Sequence, residues 1–338
     1  METAWFIIWG ILWGVYFLLD GYDFGAGSLM PIIAKSEEDR KKIINAIGPF
    51  WDGNEVWLVT AGGVTFAAFP GTYATMFSAL YTALMLVLFA LILRGAGIAL
   101  RGETENVSSR RIWDAFFTTG SFVAALLFGV FFANIFKGIP INAEGVFQGN
   151  LFTLLNPYGL LGGLLFLTFF LMHGSIWIAF KTEGNLHDKA AWYAKLLWKV
   201  LVILFVFFLI FTASATNLYD NYASAPILFL VPIIAAIALV TAGIFIRRAS
   251  WARAWTASSA FVFCLTFFGL IGIYPNLLPS SLDPAFSRTI YNTASSPLTL
   301  KIMFVVAVIF VPLVILYQAW SYKLFAGKVG GEHSAYRG

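Results

Sequence analysis

One cysteine, Cys264, three histidines and 11% charged residues are the scarcities of this 338-residue chain. A lone cysteine excludes a disulfide framework, and it excludes an iron–sulfur cluster, which needs several thiolates. Soluble domains carry about a quarter of their residues as charges, so the low charge excludes an ordinary soluble globular protein. No basic segment precedes the first apolar run. METAW leads straight into it without a small-residue cleavage site, so the first helix is expected to be retained. Alternating segments of about ten residues, the mark of a membrane barrel, are missing as well. What remains is 60% hydrophobic residues and a mean hydropathy of +0.82. Runs of about 20 apolar residues recur, each long enough to cross a ~30 Å hydrocarbon core. The fold class is therefore all-α, a polytopic helical membrane protein forming one integral-membrane domain over residues 1–338. Backbone groups in lipid must be satisfied within each segment, which forces a helical bundle.

Nine spans are expected, at about 5–33, 50–70, 72–93, 112–136, 156–180, 196–215, 226–246, 255–274 and 298–325. Phe69-Pro70-Gly71-Thr72-Tyr73 reads as a tight hairpin between the second and third. Asn156-Pro157 and Pro226 open the fifth and seventh. Of the 21 lysines and arginines, 18 fall in alternate loops and the tail, and only Lys137, Arg288 and Lys301 fall on the other side. That bias predicts an outside N-terminus and a cytoplasmic C-terminus. The pI near 9.1 reflects this placement and gives no reason to invoke nucleic acid. No connection is long enough for a soluble domain; the longest external one, 275–297, is rich in Pro, Ser and Asn.

The informative residues are acids inside apolar runs. LLDGYDFGAG (18–27) puts Asp20 and Asp23 in the first span on one face, by i, i+3 spacing. At 1.5 Å per residue Asp20 is about 22 Å beyond Trp5, in the inner third of the membrane. FWDGNEVW (50–57) enters from the opposite direction and brings Asp52 and Glu55 to a similar depth. Arg94 at the inner end of the third span and Asp114 at the start of the fourth are placed to join and balance these charges. A charge at the bilayer centre costs roughly 2.5–3.5 kcal/mol, less toward the interface. Interfacial or ion-paired acids are thus the bland reading for Asp23 and Asp52, and a proton-loading cluster is the functional one. Gly21, Gly25, Gly27, Gly53, Gly62 and Gly63 suggest close helix packing. Of the histidines, His187 and His333 fall outside the spans. His173 lies in the fifth, where a bond to a neighbouring helix is expected ahead of a haem-ligand role. No metal site is expected. Trp57, one turn past the acids, reads first as packing and otherwise as a contact for a quinone ring or a partner helix. Two rival classes share buried acids: a proton-coupled secondary transporter, whose sites lie nearer the midplane, and a purely structural scaffold.

Several segments in order resemble subunit II of the cytochrome bd quinol oxidases: LLDGYDFGAG, NAIGPFWDGNEVWLVTAGGVTFAAFP, FANIFKGIPIN (132–142), LLNPYGLLGG (154–163) and the stretch 291–325. The resemblance covers most of the chain, and its WDGN…VW…AGG block is specific. It implies a non-haem subunit of a bacterial cytoplasmic-membrane oxidase that couples quinol oxidation to reduction of O2 to water. Haems b and d would sit in the partner, subunit I, which shares the fold, and no cofactor is expected on this chain. It leaves open a structural quinone and an additional small single-helix subunit. It also implies a cytoplasmic proton-uptake path, whose acids match Asp20 of DGYD and Asp52 of WDGN, with Arg94 aligned to a family arginine. Relatives often carry glutamine at the position of Glu55, which ranks Glu55 below those two.

Overall fold

Every long apolar run becomes a helix, because a backbone out of water can only satisfy itself along its own segment. In the computed structural model, which describes residues 1–329, the helices are α1 (Glu2–Leu19), α2 (Gly21–Ile33), α3 (Glu37–Ile47), α4 (Trp51–Ala68), α5 (Pro70–Ala79), α6 (Tyr81–Gly102), α7 (Val107–Lys137), α8 (Pro157–Lys181), α9 (Gly184–Ala215), α10 (Tyr219–Ser224), α11 (Leu230–Arg247), α12 (Trp251–Ile273) and α13 (Pro297–Leu324). His333 and Arg337 lie outside the described residues. Among the described residues, eight helical stretches are long and apolar enough to cross a membrane, α1 and α2 counting as one. The ninth expected span, α4, is not among them: Asp52, Asn54 and Glu55 in its first turns lower its apolarity.

Two further boundaries differ from the sequence reading. The third span is broken at Leu80, between α5 and α6, and α6 runs on to Gly102. Arg94 is therefore not at a helix end. It sits eight residues inside, about 12 Å from the terminus. The loop after α2 is not irregular either. Ser36 and Asp39 form a capping box, Ser36 Oγ accepting from the Asp39 N–H at 3.0 Å, and α3 docks Ile43, Ile44 and Ile47 into the core.

α1 and α2 form the central column, packed against α4, α7, α8 and α12. Edge-to-face aromatic pairs fill its surroundings: Trp13 on Phe132 at 5.0 Å and Phe17 on Phe166 at 5.1 Å. Gly25 and Gly174 bring α2 and α8 into backbone contact. A Cβ on Gly174 would lie 2.7 Å from the Gly25 Cα, so neither position has room for a side chain. Gly53, Gly62 and Gly63, expected to pack closely, have nothing within 4 Å of where a Cβ would stand: Gly53 and Gly63 are exposed, and Gly62 borders an apolar cavity.

The loops gather at two ends. At one, α3, the α6–α7 and α8–α9 connections and the C-terminal segment meet. Arg101 binds Glu37 at 2.9 Å, Lys189 Nζ donates to the Ile33 carbonyl, and Val329 N donates to the Lys181 carbonyl. At the other, β1 (Asn276–Leu278) pairs antiparallel with β2 (Arg288–Thr289), and Ser295 N donates to the Ala68 carbonyl. α13 joins the bundle by its extremities. Trp5 Nε1 donates to the Leu300 carbonyl near one end and Gln318 and Tyr322 bond inward near the other, while Leu300 is its one buried residue.

Candidate functional site

Asp20 sits where α1 gives way to α2, in right-handed helical conformation (φ −81°, ψ −16°). Its N–H still donates to Tyr16 O and its carbonyl still accepts from Phe24 N, so the column continues through it. The side chain is completely buried and meets Arg94 of α6, also completely buried. The two form a fork: Nη2 to Oδ1 at 2.5 Å and Nη1 to Oδ2 at 2.7 Å. Arg94 Nη1 also binds Glu55 Oε1 at 3.1 Å, and Asp23 Oδ2 lies 3.9 Å from Nη2. Phe24 closes the site from beneath, its ring centre 4.5 Å from the guanidinium carbon. Three of the four expected carboxylates therefore surround one arginine. The fourth, Asp52, is exposed one turn before Glu55 on α4 and makes no ion pair among the described residues. Glu55 is partly exposed and so stands between Asp52 and the buried fork.

Asp114 does not join this group. It binds Arg101 Nε at 2.5 Å, with Arg40 at 3.7 Å, in a second ionic cluster that includes Glu37. The reason is the length of α6: Arg101, two turns past Arg94, is the arginine at its end. Trp57 offers no free face to a quinone or partner. It is buried, and its indole N–H donates to Gln318 Oε1 at 2.7 Å.

Asn54 is the hub that the sequence reading missed. Its Nδ2 donates to Asp23 Oδ2 at 2.8 Å and lies 3.1 Å from the Leu19 carbonyl and 2.9 Å from Tyr22 Oη, while its Oδ1 accepts from Gln318 Nε2 and Tyr322 Oη, both at 3.1 Å. Tyr22 and Tyr322 share a 2.6 Å hydroxyl contact. The one signal available was an amide between two acids in DGNE; its partners on α13 are more than 260 residues away. His173 is buried, with Nε2 donating to the Leu18 carbonyl at 3.0 Å and Nδ1 against Ser258 Oγ at 2.7 Å. That is the expected helix-bridging histidine, with neither ring nitrogen left for iron. No group of three or more His, Cys, Asp or Glu placed to hold a metal occurs among the described residues. A separate apolar cavity of about 340 Å³ lies between α1, α4, α5, α6 and α7, lined by Trp13, Leu58, Met76, Leu84, Leu91 and Phe131.

Comparison with known proteins fits this architecture. The family model for cytochrome bd terminal oxidase subunit II matches residues 1–325. The chain is 34% identical to the Bacillus subtilis cytochrome bd ubiquinol oxidase subunit 2, covering 97% of each chain. It is 32% identical to the Escherichia coli K12 cytochrome bd-I ubiquinol oxidase subunit 2, covering 98% of this chain and 96% of that one. A chain of the bd oxidase structure from Geobacillus thermodenitrificans shares the fold, with a TM-score of 0.74 at 20% identity over 96% of this chain and 98% of that one. The chain belongs to the cytochrome bd terminal oxidase subunit II family.

Proposed function

We propose that this chain is the non-haem subunit of a quinol-oxidising, O2-reducing terminal oxidase in a bacterial cytoplasmic membrane, and that its acids take protons from the cytoplasmic side. α4 counts as a ninth crossing in this reading, with the N-terminus outside. The observation that carries the proton path is the continuity of the acids. Asp52 is exposed, Glu55 follows one helical turn on and touches Arg94, and Arg94 holds the fully buried Asp20. Asp52 accepts a proton near the surface, Glu55 and Asp20 pass it inward, and Arg94 keeps an ionised acid tolerable at that depth.

The haem-bearing subunit I would dock on the outer face of α4. Val56, Val59 and Phe66 are exposed there beside the uncrowded Gly53 and Gly63. The redox chemistry belongs to the haems of subunit I, since His173 is fully engaged in helix bonds. A structural quinone suits the apolar cavity between α1 and α6, where Trp13 has a buried indole N–H without an acceptor. The scaffold reading also has an observation in its favour, the two-point Arg94–Asp20 fork, which would hold helices together without moving a proton.

Oxygen consumption by Asp20→Asn and Asp52→Asn complexes with normal haem spectra separates the two. Loss of turnover supports uptake through these acids; wild-type turnover in both sinks it and leaves the scaffold.

A further inference from the structure

Arg94 serves its three carboxylates unequally. Asp20 takes two short bonds and Glu55 one, while Asp23 stands at 3.9 Å, beyond hydrogen-bond reach. Asp23 is nevertheless completely buried, and its Oδ1 has no donor. An ionised carboxylate there would be a further negative charge around one cation, with one oxygen bare. Low-dielectric surroundings penalise that arrangement heavily. The other groups facing this pocket do not relieve it. Tyr16 Oη of α1 is buried without a partner, and Tyr22 Oη and Tyr322 Oη are occupied with each other and with Asn54.

The amides fix the direction of every bond that reaches Asp23. An indole N–H can only donate, so Trp57 turns the oxygen of Gln318 toward itself. That aims Gln318 Nε2 at Asn54 Oδ1, and from the other side the Leu19 carbonyl, which can only accept, holds Asn54 Nδ2 toward α1 and Asp23. Asp23 Oδ2 is therefore held as an acceptor, and a proton on this carboxyl belongs on Oδ1. Asp20 Oδ1 and Asp23 Oδ2 both lie within 4 Å of the same Nη2, so the two acids are immediate neighbours.

We propose that Asp23 rests as the neutral acid, protonated on Oδ1, and that Trp57 and Gln318 are positioning residues that, together with the Leu19 carbonyl, hold Asn54 as the donor to its Oδ2. This extends the proton-uptake reading by naming where a proton waits, and depends on that reading only for the use made of the proton.

The test is infrared spectroscopy of the purified oxidase complex carrying carboxyl-¹³C aspartate. The expected result is a protonated-carboxyl C=O band, shifted in D2O, that disappears in Asp23→Asn and survives in Asp20→Asn. The same band should move in Trp57→Phe and in Gln318→Leu. The double variant should move it no further than either single one, since both break one chain. Wild-type complex without such a band, or a band that survives in Asp23→Asn, overturns the assignment. A band unmoved in both Trp57→Phe and Gln318→Leu overturns the positioning role. Turnover of the Asp20→Asn and Asp52→Asn complexes is scored separately, so loss of the uptake reading leaves this result standing, and the reverse.

Discussion

Arg94→Leu takes away the guanidinium and leaves Asp20, Asp23 and Glu55 behind. Arg94 and Asp20 are both completely buried and joined at two points. Removing one partner of such a pair costs about 3–5 kcal/mol, because the survivor is an uncompensated buried charge. The survivor can instead take up a proton. For an ordinary carboxyl near pKa 3.9 that costs roughly 4 kcal/mol at pH 7, at 1.36 kcal/mol per pH unit, so both routes reach the same range. The expected loss is thus about a thousandfold in the folding equilibrium. Arg94→Leu/Asp20→Leu removes both charges. Apolar replacement of a buried pair is often neutral or stabilising, so the double variant should recover most of the loss. The assay is SDS unfolding of the purified complex in mixed micelles, followed by circular dichroism. A single-variant cost below about 1 kcal/mol, as for an exposed pair, would refute the reasoning. So would a double variant that costs the sum of the two single ones.

Three further outcomes follow from other parts of the fold. Gly174→Ala should destabilise the chain by about 1–3 kcal/mol in the same unfolding assay, since its methyl would meet the Gly25 backbone, whereas Gly62→Ala should be near neutral. Asp39, in the first turn of α3, is pushed up by burial but drawn further down by the Lys35 and Ser36 N–H groups together, so its carboxyl lies below the usual range. Its contribution is therefore complete above about pH 4 and fades as pH falls below that. The excess amide exchange of α3 in Asp39→Asn over wild type should shrink accordingly on acidification. Lys181 is buried, and its ammonium donates to the carbonyls of Phe325 and Gly327. Lys181→Met should speed proteolysis after α13 without altering the Asp20–Arg94 contacts.

The helical runs were legible because a membrane leaves the backbone a single solution, and the apolar runs mark where that solution applies. Two ends lie well beyond the apolar runs for local reasons. α9 begins at Gly184, twelve residues before its apolar run, because a helix extends past the lipid where charged residues can face water. Arg94 read as an end marker because arginine usually is one; here Asp20 and Glu55 offset its burial and α6 continues. The same misplacement assigned Asp114 to the wrong cluster. Asp20, Asp23, Glu55 and Arg94 did meet as depth counting predicted, since two adjacent helices entering from opposite ends must bring those positions together. Asn54, Tyr22, Gln318 and Tyr322 were not legible. Single polar residues in apolar runs carry no spacing signal, and their mutual contacts depend on how α13 leans on α4.

The seating of α13 also sets an order of events. Chains are made from the N-terminus, so the helices carrying Asp20, Asn54 and Arg94 exist before Pro297–Leu324 has been synthesised. During that interval the Asn54 carbonyl lacks the donors of both Gln318 and Tyr322, and the Trp57 indole lacks its acceptor. The amide that addresses Asp23 is then held from the α1 side alone, by the Leu19 carbonyl. Completion of the last helix adds the second half of that hold, so a chain that stops short of α13 retains the Asp20–Arg94 fork and the Leu19–Asn54 bond but lacks the bonds of Gln318 and Tyr322 that close the network.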